Sequence, residues 1–133
     1  MSEPVWLDLG GLIEAHEEQI ERFGGSAGIR DIGLVESALA RPKQLYHYEG
    51  EEDVLALAVR LGTGIALNHG FVDGNKRTGA VAMIEFLVLN GYRLSMGNDG
   101  TLGRWFEAVI EGRMSEGELA EAVWPFIRVI EGS

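Results

Sequence analysis

His69-Gly70-Phe71-Val72-Asp73-Gly74-Asn75-Lys76-Arg77-Thr78 runs directly into Gly79-Ala80-Val81-Ala82-Met83-Ile84-Glu85-Phe86-Leu87-Val88-Leu89. The second stretch reads as a helix apolar on nearly all sides, and such a helix belongs in a core. The first places an imidazole, a carboxylate and two cations where that helix begins. A helix start already carries partial positive charge, so Lys76 and Arg77 in the first turn oppose the dipole, at roughly 0.3–1 kcal/mol each. The placement makes sense if an anion sits there, met by the unpaired backbone N–H groups of Gly74, Asn75 and Lys76.

Outward from this point the chain reads as helices. Leu9, Leu12, Ile13, His16, Ile20 and Phe23 recur at helical spacing, and Gly24-Gly25 ends that helix. His16 falls on its apolar stripe and reads as a buried, hydrogen-bonded histidine. Gly24 to Gly28, then Ile29-Arg30, reads as a mobile glycine-rich loop, with Arg30 at the surface. Asp31 caps a short helix through Leu34, Ala38 and Leu39 that stops at Pro42, which leaves His47 in a loop. Val54, Leu57, Ala58, Leu61 and Ile65 mark a further helix that delivers His69 at its end. The helix after the motif stops near Asn90-Gly91. Tyr92 to Met96 is briefly extended, and 97–100 turns. Leu102, Trp105, Phe106, Val109 and Ile110 mark another amphipathic helix. Ser115 with Glu118 forms a capping box opening the last one, which Pro125 kinks. Trp105, Phe106, Trp124 and Phe126 read as core and rim. The fold expected is all-α, a bundle of about five to six helices around a central buried helix at about 79–90, with little or no sheet.

A length of 133 residues fits one domain, 1–133, with 46% apolar and 24% charged residues in the globular range. No apolar run approaches the roughly 20 residues that span a bilayer, and MSEPVWLDLGG carries no secretory signature. No membrane partner is expected. With no cysteine, there is neither a disulfide nor a thiolate metal site, which suits a cytoplasmic location. A net charge of −10 argues against direct contact with nucleic acid. His16 and His47 have no partners at ligand spacing, so no structural zinc is expected.

Each side chain of the motif has a chemical use. His69 can take a proton from an alcohol near neutral pH. Asp73 is short and acceptor-only, suited to hold Mg²⁺ beside phosphate oxygens. Asn75 can orient the loop or a phosphate. Lys76 is a mobile point charge, and Arg77 a planar fork matched to phosphate. Phe71 turns inward and pins the loop. Read singly, each residue has a structural explanation: a helix-end histidine, an Asp-Gly turn, a cap, a solvated cationic pair. Together they make a parts list for moving a phosphate-containing group onto a hydroxyl.

At these residues the chain resembles the Fic/Doc superfamily, whose signature is H-x-F-x-D/N-G/A-N-K/G-R, and HGFVDGNKRTG resembles its Doc branch in particular. FGGSAGIRDIGLVESALARP is similar to the region that follows the first helix there. AMP-transferring Fic proteins read H-P-F-x-x-G-N-G-R-x-x-R; here Lys76 stands at the glycine and Ala80 at the second arginine, which argues against adenylylation. The resemblance implies a Fic/Doc-like bundle and ATP bound in reversed orientation, with Mg²⁺, as cofactors. It implies phosphoryl transfer to a protein hydroxyl, with elongation factor Tu as acceptor and arrest of translation as outcome. His69 would be the base, and Asp73 would hold Mg²⁺ or orient the acceptor. Gly74, Asn75 and Lys76 would cradle the anion, and Lys76 with Arg77 would neutralise its charge. The glycine-rich stretch before Arg30 would be a flap that clamps a target by strand addition. The inhibitory pattern S/T-x-x-x-E-G/N is absent, with Ser95, Asp99 and Gly100 nearest to it, so restraint would come from an antitoxin whose disordered tail folds into a groove. The alternatives are a Fic-type nucleotidyltransferase and a catalytically silent binding or co-repressor module.

Overall fold

A computed structural model describes residues 2–131. Among them lie six α-helices: α1 (Leu9–Phe23), α2 (Ile32–Glu49), α3 (Val54–Asn68), α4 (Asn75–Leu89), α5 (Thr101–Ile110) and α6 (Glu116–Val123). Two three-residue strands, β1 (Tyr92–Leu94) and β2 (Ile127–Val129), pair antiparallel with Tyr92 opposite Val129. The fold is therefore the expected helical bundle with very little sheet.

Helix starts follow side-chain capping. The Asp8 carboxylate accepts from Gly11 N at 2.8 Å, and Asp53 accepts from Leu55 N at 3.0 Å. The expected capping box is present: Glu118 N donates to Ser115 Oγ at 3.1 Å and Ser115 N donates to Glu118 Oε1 at 2.9 Å. Asp31 caps α2 as anticipated, yet the helix does not stop at Pro42; it continues to Glu49 and ends on left-handed Gly50. A mid-helix proline costs about 3 kcal/mol. Here Pro42 itself is buried, and beyond it Leu45 and Tyr46 pack on the core, with Tyr46 edge-on to Trp6 at 5.7 Å. That burial outweighs the local rule. His47 consequently sits in the last turn of α2 rather than a loop, 3.5 Å from the Glu3 carboxylate.

The buried cluster draws on every helix, with Leu12 from α1, Val35 from α2, Phe106 from α5 and Leu119 from α6 around α3 and α4. α3 is the more completely enclosed of the central pair. It buries ten residues from Leu55 to Ala66, whereas α4 leaves Val88 and Leu89 nearly half exposed. The two helices cross at backbone distance. A Cβ on Gly62 would lie 2.8 Å from the Gly79 carbonyl, and one on Gly79 would strike the Gly62 carbonyl. This crossing brings the last turn of α3 beside the first turn of α4.

Pro125 ends the last helix instead of kinking it. α6 stops at Val123, and Trp124–Phe126 form a 3₁₀ turn that releases β2 towards β1. Phe106 is fully buried and Trp105 and Phe126 partly so, as expected for core and rim, while Trp124 stands 65% exposed. None of the described helices is long and apolar enough to cross a membrane.

Candidate active site

The motif is the corner between α3 and α4. His69 closes α3 in the left-handed region, φ 53° and ψ 43°, and its exposed side chain faces solvent. Gly70 then passes against Val35, where a Cβ would come within 2.6 Å of Cγ2. Phe71 turns inward to 2% exposure, as expected. Asn75 closes the loop behind it: its Oδ1 accepts from Phe71 N at 3.0 Å, and its Nδ2 donates to Phe71 O at 3.1 Å. Of the two uses open to the Asn75 side chain, the structure selects orienting the loop.

α4 opens on Gly74, φ 74°, with no capping side chain and no acid in its first turn. Gly74 was expected to contribute its amide to the anion cradle, but that N–H donates to Asp73 Oδ1 at 2.9 Å. The unpaired donors are those one residue along: Asn75, Lys76 and Arg77 N–H have no partner among the described residues, while Thr78 N already reaches Gly74 O. What Gly74 supplies is its left-handed backbone and the lack of a Cβ, which would lie 3.2 Å from Ile20 Cδ1.

Asp73 is the most heavily tied residue of the corner. Its Oδ2 accepts from Ser26 N at 3.2 Å, and its carbonyl accepts from His16 Nε2 at 2.8 Å. The amide of Ser26, then that of Gly74, holds the carboxyl below its ordinary pKa against slight desolvation, with Arg77 and His16 adding. Lys76 Nζ lies 3.4 Å from Glu107 Oε2 on α5. Arg77 Nη2 donates to Gly24 O at 3.0 Å, and its guanidinium lies 5.6 Å from the centre of the Phe23 ring.

The glycine-rich stretch is not a free loop. It runs alongside the motif: Ile29 bridges Phe71 antiparallel, Val72 N donates to Gly28 O at 3.0 Å, and Arg30 N donates to Gly70 O at 2.8 Å. Arg30, on the surface as expected, also donates from Nε to His69 O at 2.8 Å. Gly25, φ 114°, is required where it stands, since a Cβ would meet Asp73 Oδ2 at 2.7 Å.

His69, Asp73, Gly74, Asn75, Lys76 and Arg77 all line one cleft of about 570 Å³, walled by Ala66 and Ile110. That volume lies within the roughly 300–1,000 Å³ usual for small-ligand sites. Among the described residues no cluster of three or more His, Asp or Glu side chains could hold a metal unaided. A single carboxylate beside a helix start with unpaired amides is a donor set that fits Mg²⁺, which keeps its waters and binds through one or two carboxylates plus substrate oxygens. The cradle's three free amides and two cations fit a polyphosphate.

Sequence reasoning missed the contacts made to this corner from outside it. The burial of His16 was legible from its stripe, and it is 2% exposed. Its partner, 57 residues away, was not.

The family model described as "Fic/DOC family" matches residues 6–87. Over 74 residues the chain is 40% identical to "Toxin Doc" of Mycolicibacterium smegmatis, covering 55% of this chain and 57% of that protein. Over 83 residues it is 32% identical to "Protein kinase doc" of Escherichia phage P1, covering 62% and 66%. The matched stretches thus span somewhat under two thirds of each relative, and the residues matched by the family model include the whole α3–α4 corner. The chain belongs to the Fic/DOC family.

Proposed function

We propose that this chain is a Doc-type toxin, an ATP- and Mg²⁺-dependent protein kinase held in check by a cognate antitoxin in the cytoplasm. Elongation factor Tu is the proposed acceptor and arrest of translation the outcome. The observation that carries the reading is the start of α4. It has unpaired amides, two cations and no acid in its first turn, and it shares a cleft with His69. The names of the two relatives, one a toxin and one a protein kinase, support it.

In this reading the Asn75, Lys76 and Arg77 amides hold the terminal phosphates of ATP. The Lys76 and Arg77 side chains spread the charge that gathers on the transferred group. To do so Arg77 leaves the neutral Gly24 carbonyl. His69 takes the proton of the acceptor hydroxyl as that oxygen bonds to the γ-phosphorus. The bond from γ-phosphorus to the bridging oxygen breaks, and ADP departs. Asp73 would hold Mg²⁺, which would supply charge neutralisation at the phosphates. The groove lined by Val54, Leu55, Leu87, Tyr92, Trp124 and Ile127, together with Glu52 and Asp53, is the proposed seat of the antitoxin tail, since a largely apolar groove beside the exposed Trp124 suits a segment that folds on binding.

The test is incubation with γ-labelled ATP, Mg²⁺ and bacterial lysate, with mass spectrometry of whatever becomes labelled. The expected product carries one phosphate and is lost with His69→Ala or Arg77→Ala. A nucleotide adduct from α-labelled ATP would establish AMP transfer instead. Absence of either label together with no ATP binding would leave a non-catalytic binding module.

A further inference from the structure

His16 stands on α1, outside the motif and outside the cleft lining, yet it touches the motif twice. Its ring stacks on Phe71 at 3.9 Å between centroids and 9° between planes. Its Nε2 lies 2.8 Å from the Asp73 carbonyl. A carbonyl oxygen can only accept, so Nε2 carries the hydrogen and donates it. The two contacts grip the residues on either side of Val72.

The second contact has a chemical consequence. The Asp73 carbonyl and the Gly74 amide are one rigid peptide plane. Its oxygen is held by His16, and its N–H points to Asp73 Oδ1 at 2.9 Å. Fixing the oxygen therefore fixes the direction in which the carboxylate is drawn. Gly74, at φ 74°, is otherwise the softest point of the corner, because glycine has several backbone basins of similar energy. A rotation of this plane would turn the Asp73 carboxylate and tilt the amides of Asn75, Lys76 and Arg77 away from a common point. His16, 2% exposed and packed under the corner, supplies the rigidity that the glycine lacks.

We infer that His16 is a positioning residue for the reaction: its Nε2–H, on the Asp73 carbonyl, locks the Asp73–Gly74 peptide so that carboxylate and helix-end amides converge on one ligand. This rests on the phosphoryl-transfer reading above. Groups that orient the residues contacting a metal or a reacting group commonly matter by about 10–100-fold when removed.

Two substitutions in the full chain separate the ring from the donor. His16→Phe keeps a ring on Phe71 and loses the donor. His16→Gln loses the ring but carries an amide nitrogen the same number of bonds from Cβ as Nε2. With ATP and Mg²⁺, His16→Phe is expected to lower kcat by about 10–100-fold and to raise the Mg²⁺ needed for half-maximal rate. His16→Gln should return kcat to within about threefold of wild type. Amide exchange of Gly74 and Thr78, the hydrogen-bonded amides on either side of the helix start, should speed up about tenfold or more in His16→Phe but not in His16→Gln, with α3 unchanged in both. If phenylalanine prevents folding, His16→Asn, whose amide falls one bond short, takes its place with the same expectation. Wild-type kcat and exchange in the donorless variant, or equal impairment in the donor-bearing one, overturns the inference. If wild type transfers no phosphate to any acceptor, the kinase reading fails separately, and the exchange rates alone decide the role of His16.

Discussion

Gly79→Ala probes the close backbone approach of α3 and α4. The new methyl group would strike the Gly62 carbonyl and lie 3.3 Å from Ala66 N and 3.4 Å from Ala66 Cβ. The first two obstacles are backbone, so no rotamer change relieves them and α3 must move. Overpacking costs about 1–3 kcal/mol, and a clash with backbone lies in the upper half of that range, about 2–3 kcal/mol; alanine's better helix propensity returns about 1 kcal/mol. The net expectation is a loss of about 1–2 kcal/mol. A chain of 133 residues has an unfolding entropy of about 0.28 kcal/mol/K near its midpoint, so Tm should fall by about 4–7 °C. The same movement separates the end of α3, which carries His69, from the start of α4. A shift of about 1 Å between reacting groups can cost about 100-fold in rate, so the proposed phosphate transfer should fall further than the stability loss alone accounts for. Gly103→Ala is the control, because a Cβ there meets nothing within 4 Å on α5, and it should raise Tm by about 2–4 °C. Differential scanning calorimetry on both variants reads the result. A Gly79→Ala protein that melts at or above the wild-type temperature would refute the crossing argument.

Asn75→Asp sets two arguments against each other. A carboxylate in the first turn of α4 gains about 0.3–1 kcal/mol from the dipole, but it replaces the Nδ2 donor 3.1 Å from Phe71 O with an acceptor, at about 1–3 kcal/mol. The variant should therefore melt below wild type, and a higher Tm would show that the Asn75 clasp on Phe71 is dispensable. Glu85 is pushed up from its ordinary pKa by partial burial, then by the carboxylates of Glu18 and Glu14 on α1. A raised folded-state value means that the native state loses stability as pH rises from the unfolded-chain pKa through the folded one. Glu85→Gln should then be more stable than wild type at pH 7, by less than about 1 kcal/mol for a group that solvent still reaches in part. That gain should vanish in melts below about pH 4. An equal difference at both pH values would contradict the assignment.

Local signals in the sequence are local in their physics. The Ser115 and Asp31 caps, the apolar stripe carrying His16 and the arrival of His69 at the end of α3 all depend on neighbours within a few residues, and all are present. The motif residues converge on one cleft because α3 and α4 are consecutive. Pro42 shows where local rules fail: its helix continues because Ala38, Leu39 and Pro42 itself are buried and Leu45 and Tyr46 beyond it pack on the core. β2 was invisible because its partner lies beyond two helices, and a strand of three residues has too little alternation to declare itself. The bonds of Ser26 to Asp73 and of Gly24 to Arg77 span 47 and 53 residues. No periodicity or cap encodes them. Gly74 is the instructive case, since its identity was legible but the partner that claims its amide was its own neighbour's side chain.

Among the described residues, His69 is the one non-glycine residue at positive φ. Backbone of that kind favours glycine over side-chain-bearing residues by about 1 kcal/mol or more, so replacing the imidazole with hydrogen would relax the corner. Folding therefore offers this position no protection against mutational decay: a descendant with glycine here would be the sturdier molecule, and if His69 is the proposed base, only selection on that activity retains the ring.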